Sequence, residues 1–293
     1  MQPEQMAVPD DHRQRWVEAT YKIRANSLLL SRMVDPLPES GLASADAHYP
    51  WEKASAWASS YLDAGFEHLN LWADRVAPYK FDESTVHNVA YRPYLLLARA
   101  GLESAAHGLW LLDVPDSAEC VGRHVRMMYR DLGYFIKARK AGEMDRSKIE
   151  AQRQTLVDRA KAKLPDVTIT EKLPGYEDIV RYAATAQDQD PDRWAYLWNL
   201  ASGAGHGQNW FSLEGYLLEL GEEYEPGYHR AVRLPDVVPL TEMIEAATAT
   251  LQYATFRWAY LAGYPYREMS IQAVCEVFER MPKITDQPPS AET

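Results

Sequence analysis

Apolar residues recur at three- and four-residue spacing along nearly the whole chain, and no stretch alternates convincingly with the period of two that a half-buried strand needs. Such a chain must bury helical stripes against one another, so the sequence predicts an all-α fold, one helical bundle domain over residues 1–281. Breakers and caps divide it. A first helix runs from about Asp10 to Met33, with acids at its start, and stops before Asp35-Pro36-Leu37-Pro38, where proline lacks an N–H and collides with the preceding turn. A loop rich in Pro, Gly, Ser and Ala follows to Tyr49. Pro50 suits the first turn of a second helix, which ends before Pro78. This N-terminal pair is expected to pack as a helical hairpin on the rest.

A third helix spans roughly Val89 to Leu112. Asp116 and Ser117 cap a fourth that runs to about Lys140, with Gly142 after it. Ser147 opens a fifth, ending before Pro165. The stretch Asp166 to Gly175 reads as a loop or a short extended segment. Tyr176 to Ala186 reads as a short helix, and Pro191 opens a long one from Asp192 to about Leu220. A loop from Gly221 to Pro235 precedes a helix from about Leu240 to Leu261, and Ile271 to Arg280 forms the last. The tail Pro282 to Thr293 reads as disordered.

Composition removes several classes of protein. Nine Trp and 18 Tyr supply ample surface to bury, which excludes disorder for most of the chain. Two cysteines, Cys120 and Cys275, cannot build a disulfide scaffold. No secretory signal pattern and no run of about 20 apolar residues is present, so a cytoplasmic, non-membrane protein is expected. Charge is uneven: the net charge is -11, yet twelve basic residues face five acidic ones between Val121 and Lys163. That basic helical pair either steers an anion such as a nucleotide or an RNA backbone, or is a solvated face pairing with acids elsewhere, such as Glu219, Glu222 and Glu223.

Three constellations could carry chemistry. Arg99, Glu103 and His107 step by four residues and form one stripe among leucines. They read either as an intrahelical ion pair with a satisfied histidine, or as a network in which Glu103 orients an arginine from the next helix. Arg123, Arg126 and Arg130 share a face at i, i+3 and i+7; forked guanidinium groups suit carboxylates or phosphate. The third is Trp194-Ala-Tyr196-x2-Asn199-x2-Ser202-Gly-Ala-Gly-His206-Gly. Each glycine costs about 1 kcal/mol in a free helix, so these make sense where another chain segment or a ligand approaches closely, or where the helix breaks.

With these residues assembled, the chain resembles a group of all-helical actinobacterial proteins that look HEPN-like, the superfamily of helical nucleotide-binding and RNA-cleaving toxins and defence proteins. The resemblance rests on Arg99-Ala-Gly-Leu-Glu103, Trp110-Leu-Leu-Asp113-Val-Pro115, Arg123-x2-Arg126 and Tyr196-x5-Ser202-x3-His206-Gly207, and spans a core of about residues 90–212. It implies a metal-independent endoribonuclease with no cofactor, acting in toxin–antitoxin or antiviral defence: a ribose 2'-OH attacks the neighbouring phosphate, a histidine moves the proton, and an arginine stabilises the developing charge. His206 would be the acid/base. Arg99, Arg123 and Arg126 would contact phosphate, and Glu103 would hold an arginine, with Arg130, Ser202, Asn199, Tyr196 and His107 completing a binding surface for RNA or a nucleotide. The family motif places four to six residues between Arg and His; here seven separate Arg99 from His107.

Two other classes compete. A metal-carboxylate oxidase would draw on Glu67, His68, Glu103, His107, His206 and Glu214, although no Glu-x2-His pair occurs. A non-catalytic interaction protein, such as an immunity, antitoxin or scaffold component with a protein partner, suits the abundant Trp and Tyr. A homodimer is a class expectation of the HEPN-like resemblance.

Overall fold

The structure is a computed structural model and describes residues 8–79 and 90–281. Among these the chain forms eleven helices and one two-stranded hairpin, a predominantly all-α fold as the periodicity requires. The expected tail, 282–293, lies outside the described residues.

Helix α1 (Asp10–Ser31) begins after Pro9 with Asp10 and Asp11 in its first turn, where the helix dipole favours acids. Within the expected loop the chain makes a short helix, α2 (Gly41–His48), capped where Ser40 Oγ accepts the Ala43 N–H at 3.2 Å. Helix α3 (Ala54–Val76) starts four residues beyond Pro50. Its first turn is held by buried Asp46, which accepts the Ser55 N–H at 3.1 Å and the Ser55 hydroxyl at 2.5 Å. The expected N-terminal pair forms: α1 packs on α3, with the short α2 between them in sequence, and α1 also packs on α10 and α11 at the far end of the sequence.

Helix α4 (Tyr91–Leu112) is the axis of the molecule. Leu95, Ala98, Leu102, Ala105, Leu109 and Leu112 are fully buried, and α3 and α10 (Val237–Leu261) flank it. The α3–α4 crossing is close because it has no side chains at its centre. A Cβ on Gly65 would stand 3.3 Å from the Gly101 carbonyl, and one on Gly101 would stand 2.9 Å from Leu69 Cγ. Helix α5 (Ser117–Ala141) is capped by Asp116, which accepts the Glu119 N–H at 2.9 Å. It pairs with α6 (Ser147–Lys163), whose few buried residues are Leu156 and Ala160. The connection 164–175 is turn and loop, and leads to α7 (Tyr176–Thr185) and α8 (Pro191–Gly205).

The long helix expected to reach Leu220 ends at Gly205. After α9 (Phe211–Glu214) the chain forms an antiparallel hairpin, β1 (Tyr216–Glu225) and β2 (Tyr228–Pro235), where a helix end and a loop were expected. Tyr-Leu-Leu-Glu-Leu shows no alternation because neither face of the hairpin is buried enough to demand it. The turn chemistry is local: Pro226 presets its own φ, and Gly227 takes φ +79, open to glycine without strain. Helix α11 (Tyr266–Arg280) closes the fold along α1. One continuous buried cluster runs from Trp16 through α4 and α10 to Ala273.

Candidate functional site

The sequence-selected residues lie on α4, on α5 and along α8 to its C-terminal end. On α4, Arg99 Nε donates to Glu103 Oε1 at 2.8 Å, and the same oxygen accepts the Trp198 indole N–H from α8 at 2.6 Å. The Arg99 guanidinium also lies 4.8 Å from the centre of the Trp198 ring, a cation–π contact. Glu103 thus binds its own helix and α8, and does not orient an arginine of α5. Sequence reasoning missed Trp198, since an indole N–H shows its acceptor only once two helices cross.

His107 is 3% exposed and stacks on Tyr61, ring centroids 5.4 Å apart, with Tyr176 at 5.0 Å. Its Nδ1–H donates to the Glu103 carbonyl at 2.7 Å. Burial lowers its pKa to about 4, outweighing that hydrogen bond, and Arg130 pushes the same way. Burial likewise raises the Tyr61 phenol to about 12. The imidazole is neutral, oriented and enclosed by aromatic rings.

The arginine stripe of α5 is spent on the protein itself. Arg123 donates to the carbonyls of Trp110 and Asp113, pairs with Glu119 at 3.1 Å, and lies over the Trp110 ring at 4.6 Å. It closes the end of α4, where Arg257 donates to the Leu112 and Val114 carbonyls. Arg126 pairs with Glu171 at 3.1 Å, and Arg130 donates to the Pro174 carbonyl at 3.3 Å. The latter two clamp the 164–175 connection. Farther along the basic pair, Arg146 meets Glu150 and Arg159 meets Glu52. Glu219, Glu222 and Glu223, expected as partners, sit on the hairpin and make no ion pair with α5 or α6 among the described residues.

On α8, Tyr196 Oη donates to Glu214 at 3.4 Å, and Asn199 Nδ2 donates to the Ala195 carbonyl at 2.9 Å and to Glu177 at 3.3 Å. The glycines have packing reasons. A Cβ on Gly203 would fall 2.6 Å from the Trp210 ring, and one on Gly205 2.6 Å from Leu96. Gly207, at φ +65, turns the chain back so that Trp210 lies on α8. Ser202 is half-buried. His206 is the exposed C-cap residue of the helix. Among the described residues no hydrogen bond or ring contact joins the His206 side chain to Arg99, Arg123, Arg126 or Arg130. At this end of α8, Arg92 donates to the Ala204 carbonyl at 3.0 Å and covers Phe211 at 4.6 Å.

A cavity of about 740 Å³ lies elsewhere, between the α7–α8 turn and α10, lined among others by Gln187, Arg193, Trp194, Glu242 and Phe256. None of the ten sequence-selected site residues lines it. Among the described residues no group of three or more His, Cys, Asp or Glu could hold a metal ion, so the ligands an oxidase would need do not converge. No described helix is long and apolar enough to cross a membrane. The chain matches no family model, no curated protein and no solved structure.

One further histidine escaped the sequence reading. His124 on α5 is fully buried between Tyr49 and Trp57, with ring centroids at 6.2 and 5.5 Å, and neither ring nitrogen has a hydrogen-bond partner. Burial alone lowers its pKa to about 3.

Proposed function

We propose that this chain is a non-catalytic interaction protein whose contact element is the β1–β2 hairpin. The observation that carries the reading is the surface of that hairpin: Leu217, Leu218, Leu220, Tyr224 and Tyr228 all stand more than half exposed, and Leu220 reaches 78%. Large apolar side chains grouped on one projecting element mark an interaction site more often than a solvated surface. The chemistry-bearing residues support the same reading. The guanidinium groups at 99, 123, 126 and 130 are engaged by carboxylates, carbonyls and rings, and His206 faces solvent without them.

The competing ribonuclease reading makes a direct test. Purified protein and its His206→Ala form are incubated with total RNA, divalent metal being removed. The expected result is intact RNA in both. RNA cleavage by the parent that disappears in His206→Ala would overturn the non-catalytic reading and restore His206 as an acid/base.

A further inference from the structure

The cavity between the α7–α8 turn and α10 has a volume of about 740 Å³, within the roughly 300–1,000 Å³ of small-ligand sites. No residue of β1 or β2 lines it, so it stands apart from the arm and from the interaction reading. One wall is a single face of α10: Glu242, Glu245, Ala249, Gln252 and Phe256 follow one another at steps of three and four residues. The opposite wall is the α7–α8 turn, with Gln187 and Gln189, and the start of α8.

The charges of the α10 wall are engaged with other side chains of the protein. Arg193 Nε donates to Glu242 at 2.8 Å, and Arg15 of α1 holds Glu245 through two N–H groups at 2.7 and 2.6 Å. An ionic ligand would have to break one of these forks. Arg193 is the cation of the lining, so no unpaired cation is offered to a phosphate. Asp188 is exposed and makes no ion pair among the described residues, which leaves one carboxylate as a further hydrogen-bond acceptor.

The neutral groups are the open ones. Gln252 makes no hydrogen bond among the described residues, so both ends of its amide are available. Gln187 donates through Nε2 to the Ala183 carbonyl at 2.9 Å and the Thr250 hydroxyl at 3.1 Å, and keeps Oε1 as an acceptor. Gln189 Nε2 donates to the Gln187 carbonyl at 3.2 Å, leaving its own Oε1. Tyr253 is 40% exposed, lines the cavity three residues before Phe256, and has no ring contact or hydrogen bond among the described residues.

Amides, carboxylates with spare lone pairs and an uncovered aromatic ring suit a neutral molecule that carries many hydroxyls and apolar C–H faces. A purely apolar ligand would strip water from the charged and amide side chains that make up half of the lining and give them nothing in return. An extended peptide adds to a strand edge, and this lining is helix and turn. We propose that the cavity binds a neutral saccharide, with Tyr253 beneath a sugar ring and Gln187, Gln189 and Gln252 hydrogen-bonded to its hydroxyl groups.

The full chain is titrated by calorimetry with maltohexaose, cellohexaose and chitohexaose, and with ATP and spermine as charged probes. At least one oligosaccharide is expected to bind, with an affinity that stays within threefold between 0.1 and 1 M sodium chloride because no ion pair forms. Tyr253→Ala and Gln252→Ala are each expected to weaken that binding more than threefold, with the circular dichroism spectrum and melting temperature of the parent. Failure of all three oligosaccharides to bind at 10 mM would overturn the assignment. So would an affinity that falls more than threefold with salt, or a folded variant of either residue that binds within threefold of the parent. Binding of ATP or spermine that either variant weakens would replace the saccharide with an ionic ligand.

Discussion

The α3–α4–α10 layer and the β1–β2 arm use the same kinds of residue to opposite ends. In the layer, Leu62, Leu69, Leu95, Leu102, Leu109, Trp72 and Trp258 are buried, and two helices approach until Gly65 and Gly101 nearly touch. In the arm, leucines and tyrosines of comparable size stand in solvent. Burial of apolar area contributes roughly 25 cal/mol per Å². The layer therefore carries the stability of the fold, whereas the arm adds little to it and is free to serve another purpose. The two regions are encoded differently for the same reason. A buried stripe imposes periodicity on a helix, while a hairpin with two open faces imposes none.

Substitutions should separate the regions by size of effect. Trp72→Ala empties a fully buried ring site, where it meets Trp16 edge-on at 6.1 Å, and should cost about 3–5 kcal/mol in urea unfolding. A loss under about 1 kcal/mol would mean that the layer is not the stability centre. Acid should act on the same body. The folded pKa of His124, about 3, lies below the ordinary value of about 6.5. Between those values the unfolded chain takes up a proton that the folded chain refuses. The contribution is whole above pH 6.5 and falls by about 1.4 kcal/mol per pH unit below it. His107 behaves alike down to about pH 4. Unfolding free energies measured from pH 7 to 5 should therefore decline, and His124→Phe should flatten that slope by about one proton. An unaltered slope would show that His124 is not the group responsible.

Glu103→Ala should cost about 2 kcal/mol, because it strands both the Arg99 guanidinium and the Trp198 N–H. A melting temperature within error of the parent would show that the junction of α4 and α8 does not depend on this carboxylate. The smallest effect belongs to the arm: Leu218→Glu with Leu220→Glu should change monomer stability by no more than about 0.5 kcal/mol. A larger loss, read by urea unfolding at nanomolar concentration, would place the arm inside the cooperative core and erase the contrast.

The helices were legible where burial writes a pattern. The Asp116 cap and the end of the preceding helix at Leu112 both lie where the sequence reading put them. The short helix α2 was hidden inside a stretch whose Pro, Gly and Ser content reads as loop, and its cap at Ser40 is a local event without periodicity. Arg99 with Glu103 was legible as an ion pair because both lie on one helix, four residues apart. The partners of Arg123, Arg126 and Arg130 were less so, because Trp110, Glu171 and Pro174 lie 13, 45 and 44 residues away and reach the arginines only through the loop and the α4–α5 turn. The glycines around His206 announced a close approach, but sequence spacing could not say that Trp210 and Leu96 rather than a ligand fill the space.

The clamp on the 164–175 connection has a consequence for handling the molecule. Arg126 reaches an acid, Glu171, that is itself well exposed to solvent, and such a pair loosens as ionic strength rises. Lys172 is the next residue and is exposed. Trypsin should therefore nick the chain after Lys172 faster in molar sodium chloride than in dilute buffer, releasing two fragments that remain associated until denatured.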